Sequence, residues 1–345
     1  MQKRQRELSA LTLPTSAEGV SESRRARSVG IGRAHAKAIL LGEHAVVYGA
    51  PALALPIPQL TVTASAGWSS HACDSQGDLS YTMTGTPSRA LVTRESDGLR
   101  RLIAEFKART GVTGGPHLDV LLDSAIPHGR GLGSSAANSR AIVFALADLF
   151  GRELTESTVF DLVQTTETMA HGRASGVDAR AVGASAPLLF QAGEVEELSI
   201  GCDGLFIIAD SGAAGSTKEA VELLREGFRC HPGSQERFVG RASDLTHAAR
   251  QALADGKPEE LGSRLTDYHD LLRAVGLSTN RIDALVEAAL WAGGLGAKIT
   301  GGGLGGCVIA LTRQERAQEV TRQLHEAGAV QTWVVSLKGL DNHAP

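Results

Sequence analysis

The sequence predicts a two-domain α/β (α+β) protein, and three observations carry that expectation. The chain has 345 residues, more than a single hydrophobic core usually serves. A strand pattern, a glycine-rich turn and a helical pattern succeed one another between residues 118 and 150, the order of an α/β unit. The C-terminal part closes, after a run of helical patterns, with strand, glycine turn, strand, helix and strand. A boundary is expected near residues 195–205, separating a unit at 29–200 from one at 201–345, behind a tail at 1–28.

Each element has a local reason. The tail lacks a continuous apolar stretch, so it reads as disordered and solvated rather than as a secretion signal. From Val29, "VGIGRAHAKAILLGEHAVVYGAPALALPI" is apolar and broken by glycine, which predicts strands joined by tight turns, and "LTVTASAG" alternates as a half-exposed strand does. "DGLRRLIAEFKARTG" predicts an amphipathic helix closed by Gly111, and "HLDVLLDSAIP" a strand. In "SSAANSRAIVFALADLFG", Ile142, Ala145, Leu146 and Leu149 share a helical face. A helix over 156–171 puts Phe160, Val163, Glu167 and Ala170 on one stripe, so Glu167 faces the core. "PLLFQAG" and "GLFIIADSG" read as strands, followed by helices near 216–228, 234–255, 258–274 and 278–292. "AKITGGGLGGCVIALT" predicts two strands around a turn, and a helix from Gln314 and the strand "QTWVVSLK" finish the chain.

Composition excludes several function classes. Net charge is −4 and the basic residues are scattered, so there is no electrostatic footprint for nucleic acid. Aromatics are only 4%, too few for a base-stacking surface. Cys73, Cys202, Cys230 and Cys307 lie far apart without metal-ligand spacing and read as reduced thiols of a cytoplasmic protein. No stretch approaches the roughly 20 apolar residues a membrane span requires.

The segment "IPHGRGLGSSAANS" sets Gly129, Gly131 and Gly133 on alternate positions directly before a helix. Glycine lets backbone N–H groups crowd around one object, and a helix start adds unpaired donors and partial positive charge, so the expected object is a phosphate. The Walker form is absent, and the match of Gly131, Gly133 and Ala136 to a dinucleotide fingerprint has no acidic residue placed for a ribose. A tight turn with Ser134 or Ser135 as helix cap would also explain the segment. The tandem serine favours the phosphate reading, since one hydroxyl suffices for a cap and the second is free for a cation held by phosphate.

Three further residues have two readings each. Glu167 on a buried face needs either an arginine partner or a cation, and Mg²⁺ is the sharper choice beside Ser135. Ser175 and Asp178 have capping-box spacing; alternatively, the turn bracketed by Gly172 and Gly176 returns Asp178 towards Glu167. Lys37, on a small and apolar strand, is either solvated or part of a site. "TGGGLGGC", residues 300–307, lies between two strands and reads as a second backbone nest.

Three blocks in order, "GRAHAKAILLGEHAVVYG", "IPHGRGLGSSAA" and "KITGGGLGGC", resemble the GHMP family of small-molecule kinases. "ETMAHGRASGVD" looks like the substrate loop of the members that phosphorylate (R)-mevalonate. The resemblance implies two α/β domains with ATP in the cleft between them, the second ferredoxin-like. It implies transfer of the ATP γ-phosphoryl group to the mevalonate 5-hydroxyl, an early step of isoprenoid synthesis. Asp178 would be the catalytic carboxylate, with Lys37 stabilising the attacking oxygen and the moving phosphoryl group. Ser135 and Glu167 would hold Mg²⁺. Pro127, His128, Gly129, Arg130, Gly131, Leu132, Gly133, Ser134, Ser135 and Ala136 would wrap the phosphates, with Gly301, Gly302 and Gly303 approaching from the second domain. Glu43, His44, Ser175 and Thr217 would line or support the substrate site. Homodimers are common among such relatives.

The apolar run Ala45, Val46 and Val47 after His44 suits a methyl-bearing acid better than a sugar, which needs several fixed hydroxyl partners. A second phosphate on the acceptor would call for extra cations near Lys37, and none is present. Another kinase activity of the family, on phosphomevalonate or homoserine, or nucleotide binding without catalysis, stands as the alternative. His128, Arg130, Leu304 and Arg173 depart from the family pattern. Leu304 would alter the second loop if it entered the nucleotide space, and Arg173 reads as solvated.

Overall fold

The computed structural model describes residues 28–68, 79–85, 97–113, 117–172 and 174–338. All but the last residue of the expected tail, as well as Cys73 and Arg173, lie outside the described residues.

The chain builds two sheets in succession. The first begins with β1 (Val29–Leu41) and β2 (Ala52–Trp68), antiparallel over nearly their full length and joined through a 3₁₀ turn at Val46–Tyr48. Then come β3 (Leu79–Gly85), α1 (Asp97–Thr110), β4 (Leu118–Ser124), α2 (Ser134–Leu149), α3 (Glu156–His171), the short α4 (Val177–Ala181), β5 (Leu188–Gln191) and β6 (Glu194–Glu197). The order is β3-β4-β2-β5-β6, with β1 on the other side of β2. The sequence pattern does not reveal β6, because all four of its residues are exposed and none alternates with a buried partner. A two-residue loop, Ala192-Gly193, with positive φ at both positions forms it as a hairpin on β5.

The second sheet is made by β7 (Leu205–Asp210), β8 (Gly296–Thr300), β9 (Cys307–Thr312) and β10 (Gln331–Ser336), in the order β10-β7-β9-β8. Between β7 and β8 run α5 (Thr217–Cys230), α6 (Ser234–Ala254), α7 (Pro258–Ala274) and α8 (Asn280–Trp291), and α9 (Ala317–Glu326) connects β9 to β10. The strand order fourth-first-third-second is that of a ferredoxin-like sheet. The helix expected from Gln314 starts as a 3₁₀ turn, Gln314–Arg316, before α9.

One contiguous apolar core passes through both sheets, from Leu55 and Val62 of β2 through Ala141 and Leu146 of α2 to Phe206, Ile208 and Val308. The helices α6 and α7 also pack on β1, so the second half of the chain rests against the strand that carries Lys37. No helix of the described residues is long and apolar enough to cross a membrane.

Candidate active site

Two glycine turns meet face to face. A Cβ on Gly301 would lie 2.4 Å from the Cα of Gly131, and one on Gly131 would lie 2.7 Å from the Thr300 carbonyl oxygen. Only glycine permits that approach. The Gly215 amide donates to the Gly129 carbonyl at 3.0 Å, drawing the loop before α5 to the same place. The helices α2 and α5 therefore both begin at one cavity, whose wall includes His128, Gly129, Gly133, Ser134, Ser135, Ser216, Thr217, Lys218, Gly305 and Gly306. The first N–H groups of a helix have no partner within it and carry partial positive charge. Two such ends with Lys218 form an anion cradle.

Neither serine caps α2. Its cap is Gly133, in the left-handed conformation and without a side-chain bond. The Ser135 hydroxyl instead bonds Glu167, whose carboxyl is pushed up to about 7 by burial and then by the charge of Asp178. Ser175 and Asp178 likewise form no capping box, because α4 starts from Gly176 with no side-chain cap. Asp178 is set beside Lys37, Nζ to Oδ1 2.9 Å, and Lys37 also donates to the Gly131 carbonyl at 3.2 Å. The solvated reading of Lys37 fails, since the residue is 2% exposed. A register shift between His35 and Ala36 precedes it on β1, the kind of irregularity that re-aims a side chain.

A second cavity shares Gly131, Glu167, Asp178, Thr217 and Gly302 with the first and extends away from the cradle. Ile39, Val46, Val47, Ala174, Val177 and Val221 give it apolar walls, and Lys37, Glu43, His44, Gln164, Ser175, Gly176 and Gly301 complete it. Three buried acceptor-capable atoms of this cavity, Glu43 Oε2, His44 Nε2 and Gln164 Oε1, have no hydrogen-bond partner among the described residues. Buried polar atoms are normally satisfied, so three such atoms on residues that line one cavity point to a polar ligand. His44 has φ +64, an uncommon backbone state that fits a functional constraint, and burial lowers its pKa to about 4, keeping the imidazole neutral.

This arrangement has relatives. The family model described as GHMP kinases N terminal domain matches residues 98–184, and that described as GHMP kinases C terminal matches residues 249–330. The mevalonate kinase of Thermococcus sibiricus is 31% identical over 327 residues, spanning 86% of this chain and 93% of that protein. The chain belongs to the GHMP kinase family. The mevalonate kinase of Pyrococcus horikoshii is 32% identical over 317 residues, covering 86% of this GHMP kinase and 92% of the relative. A crystal structure of L. major mevalonate kinase in complex with R-mevalonate superposes with a TM-score of 0.76 at 23% identity, over 90% of this chain and 97% of that one, and thus shares the fold.

Some residues expected at the nucleotide are turned elsewhere in this GHMP kinase. Arg130 bonds Asp210 at 2.8 Å and the Gly212 carbonyl at 3.1 Å, so its guanidinium ties the glycine loop to β7 rather than facing the cradle. Leu132 and Ala136 are buried in the apolar core, while the Leu132 carbonyl accepts from the Lys37 amide at 3.1 Å. Gly303 packs near Leu277 and His44, and neither it nor Pro127 is among the residues that line these two cavities. Leu304 packs against the core and donates its amide to Leu277, so it does not enter the nucleotide space. Gln164, Lys218 and Lys298 were not legible as site residues. Gln164 sits one turn before Glu167 on the same helix, which is the signal that could have found it.

Proposed function

We infer that this chain transfers the γ-phosphoryl group of ATP to the 5-hydroxyl of (R)-mevalonate, giving 5-phosphomevalonate and ADP. The observation that carries the reading is the Asp178–Lys37 pair, 2.9 Å apart where the anion cradle joins an apolar cavity edged by orphan acceptors. Phosphoryl transfer requires positioning and charge neutralisation more than covalent chemistry. The cradle would hold the phosphates, and Asp178 would receive the hydroxyl proton late in the reaction. Lys37 would stabilise the attacking oxygen and offset charge on the transferring group. The apolar walls suit the methyl-bearing carbon chain of mevalonate, and the orphan acceptors suit its hydroxyl.

The donor set fits Mg²⁺. A serine hydroxyl and a buried carboxylate are hard oxygen donors, and the raised pKa of Glu167 marks a charge that its surroundings under-compensate. No group of three or more His, Cys, Asp or Glu among the described residues could hold a metal alone, in keeping with an ion that takes its other ligands from phosphate and water. When bound, Mg²⁺ would neutralise phosphate charge; Ser135 and Glu167 would hold it. For the base of ATP, an apolar pocket lined by Tyr81, Met83, Leu102, Ile142 and Met169 opens from the cradle at His128 and Ser135. The buried Asn138 Oδ1 there has no partner among the described residues and could accept from an exocyclic amine.

The test is ADP release with Mg²⁺-ATP and equal concentrations of (R)-mevalonate, phosphomevalonate, galactose or homoserine. Turnover with mevalonate alone is expected. Preference for another acceptor would overturn the substrate while sparing the phosphate machinery.

A further inference from the structure

The acceptor cavity depends on a charge supplied from the other half of the chain. Lys298 lies on β8, in the second sheet, and is 0% exposed. Its Nζ forms an ion pair with Glu43 Oε1 and also donates to the Ile39 carbonyl at 3.4 Å and to the Ile299 carbonyl. Beside it, Thr300 Oγ1 accepts from the Ile39 amide and donates to the Ile39 carbonyl, each at 3.0 Å. The Tyr268 hydroxyl donates to the Glu43 carbonyl at 3.0 Å. Residues 39–43 are thus gripped on both backbone and side chain by β8 and α7.

A fully buried lysine is costly to maintain, and apolar replacement is often as stable, so this pair calls for a reason beyond stability. The reason lies on the far side of the carboxylate. With Oε1 held by Lys298, Oε2 is left buried and without a partner among the described residues, as is Nε2 of His44, and both residues line the acceptor cavity. We propose that Lys298 is a positioning residue: it orients Glu43 so that Oε2 accepts a hydroxyl of the acceptor substrate, making the acceptor cavity a product of both halves of the chain. Lys298 itself does not touch the substrate. The proposal rests on the mevalonate reading above.

Three variants test it: Lys298→Met, Glu43→Gln and the two combined. Each single change is expected to raise the KM for mevalonate about tenfold or more, the loss typical of a hydrogen bond to a charged group, with the KM for ATP within about twofold. Because Lys298 acts through Glu43, the double variant should be no worse than Glu43→Gln alone. The double variant leaves no buried charge unpaired and serves as the folded comparison where Lys298→Met does not fold. A folded Lys298→Met with unchanged KM for mevalonate would overturn the proposal, as would losses that multiply in the double variant or an equal loss for ATP. Wild-type protein that does not turn over mevalonate would overturn the acceptor reading and this proposal with it. Turnover by the wild type with unaffected variants would overturn the roles of Lys298 and Glu43 proposed here and leave the mevalonate reading standing.

Discussion

Asp178 Oδ1 lies 2.9 Å from Lys37 Nζ, although the two residues are separated by more than 140 positions in the chain. Lys37 reaches the site from β1, and Asp178 from the first turn of a five-residue helix that starts at Gly176. Replacing Asp178 by Ala should lower kcat by about 10²-fold to 10⁴-fold, the usual contribution of a general base. ATP affinity measured by calorimetry should change little, because the cradle is built from other elements. An equal fall in nucleotide affinity would mean that Asp178 supports the local fold instead.

Gln164 is oriented by its own hydrogen bond. Nε2 donates to the Ala174 carbonyl at 2.8 Å, which leaves Oε1, buried beside the acceptor cavity, without a partner among the described residues. Gln164→Leu keeps the side chain's bulk and removes the acceptor. Steady-state kinetics should give an acceptor KM raised by about tenfold with little change for ATP, the value of one neutral hydrogen bond at the upper end of its range.

The contact between the two glycine turns can be separated from the general cost of a left-handed residue. Gly131 has φ +78, and a Cβ there would meet the Thr300 carbonyl oxygen at 2.7 Å; Gly111 has φ +67 and nothing within 4 Å. Gly111→Ala should therefore cost only about 1–2 kcal/mol in denaturant unfolding, the conformational term. Gly131→Ala should cost more and should also weaken ATP binding, since the loops must part to accommodate the methyl group.

His44 predicts a pH effect on stability with a definite sign. Burial, followed by the charge of Lys298, lowers its pKa to about 4, whereas the unfolded imidazole titrates near about 6.5. Between those values the unfolded chain holds a proton that the native state excludes. Stability is then fully present above about 6.5 and is lost as pH falls towards 4, by about 3 kcal/mol when complete. Urea unfolding at pH 7 and pH 5 should show a smaller difference for His44→Gln than for the unmodified protein. His35 and His269, also lowered by burial, would sustain part of the slope in the variant.

Local pattern was sufficient for much of this molecule. The amphipathic spacing of residues 97–110, the strand before the glycine ladder and the placement of Glu167 on a buried stripe are short-range properties, and each appears in the structure as one helix, strand or face. The glycine turn that enters a helix at residues 126–136 was legible for the same reason, because its backbone conformation and the helix start come from adjacent residues alone. β6 was not legible, since its pairing with β5 comes from a turn rather than from any hydrophobic alternation.

What the sequence determined by itself was therefore most of the elements, β3 and β6 excepted, and the chemistry available to them; which side chains meet was decided by tertiary structure. Arg130 stood out as a departure from the family pattern within the loop expected to wrap the phosphates, yet its partner is Asp210, 80 residues away. Lys298 had no local signal, and its partner Glu43 lies 255 residues away. Burial makes an unpaired charge expensive, so such groups must find partners wherever the packed chain brings them, and sequence spacing carries no record of that distance.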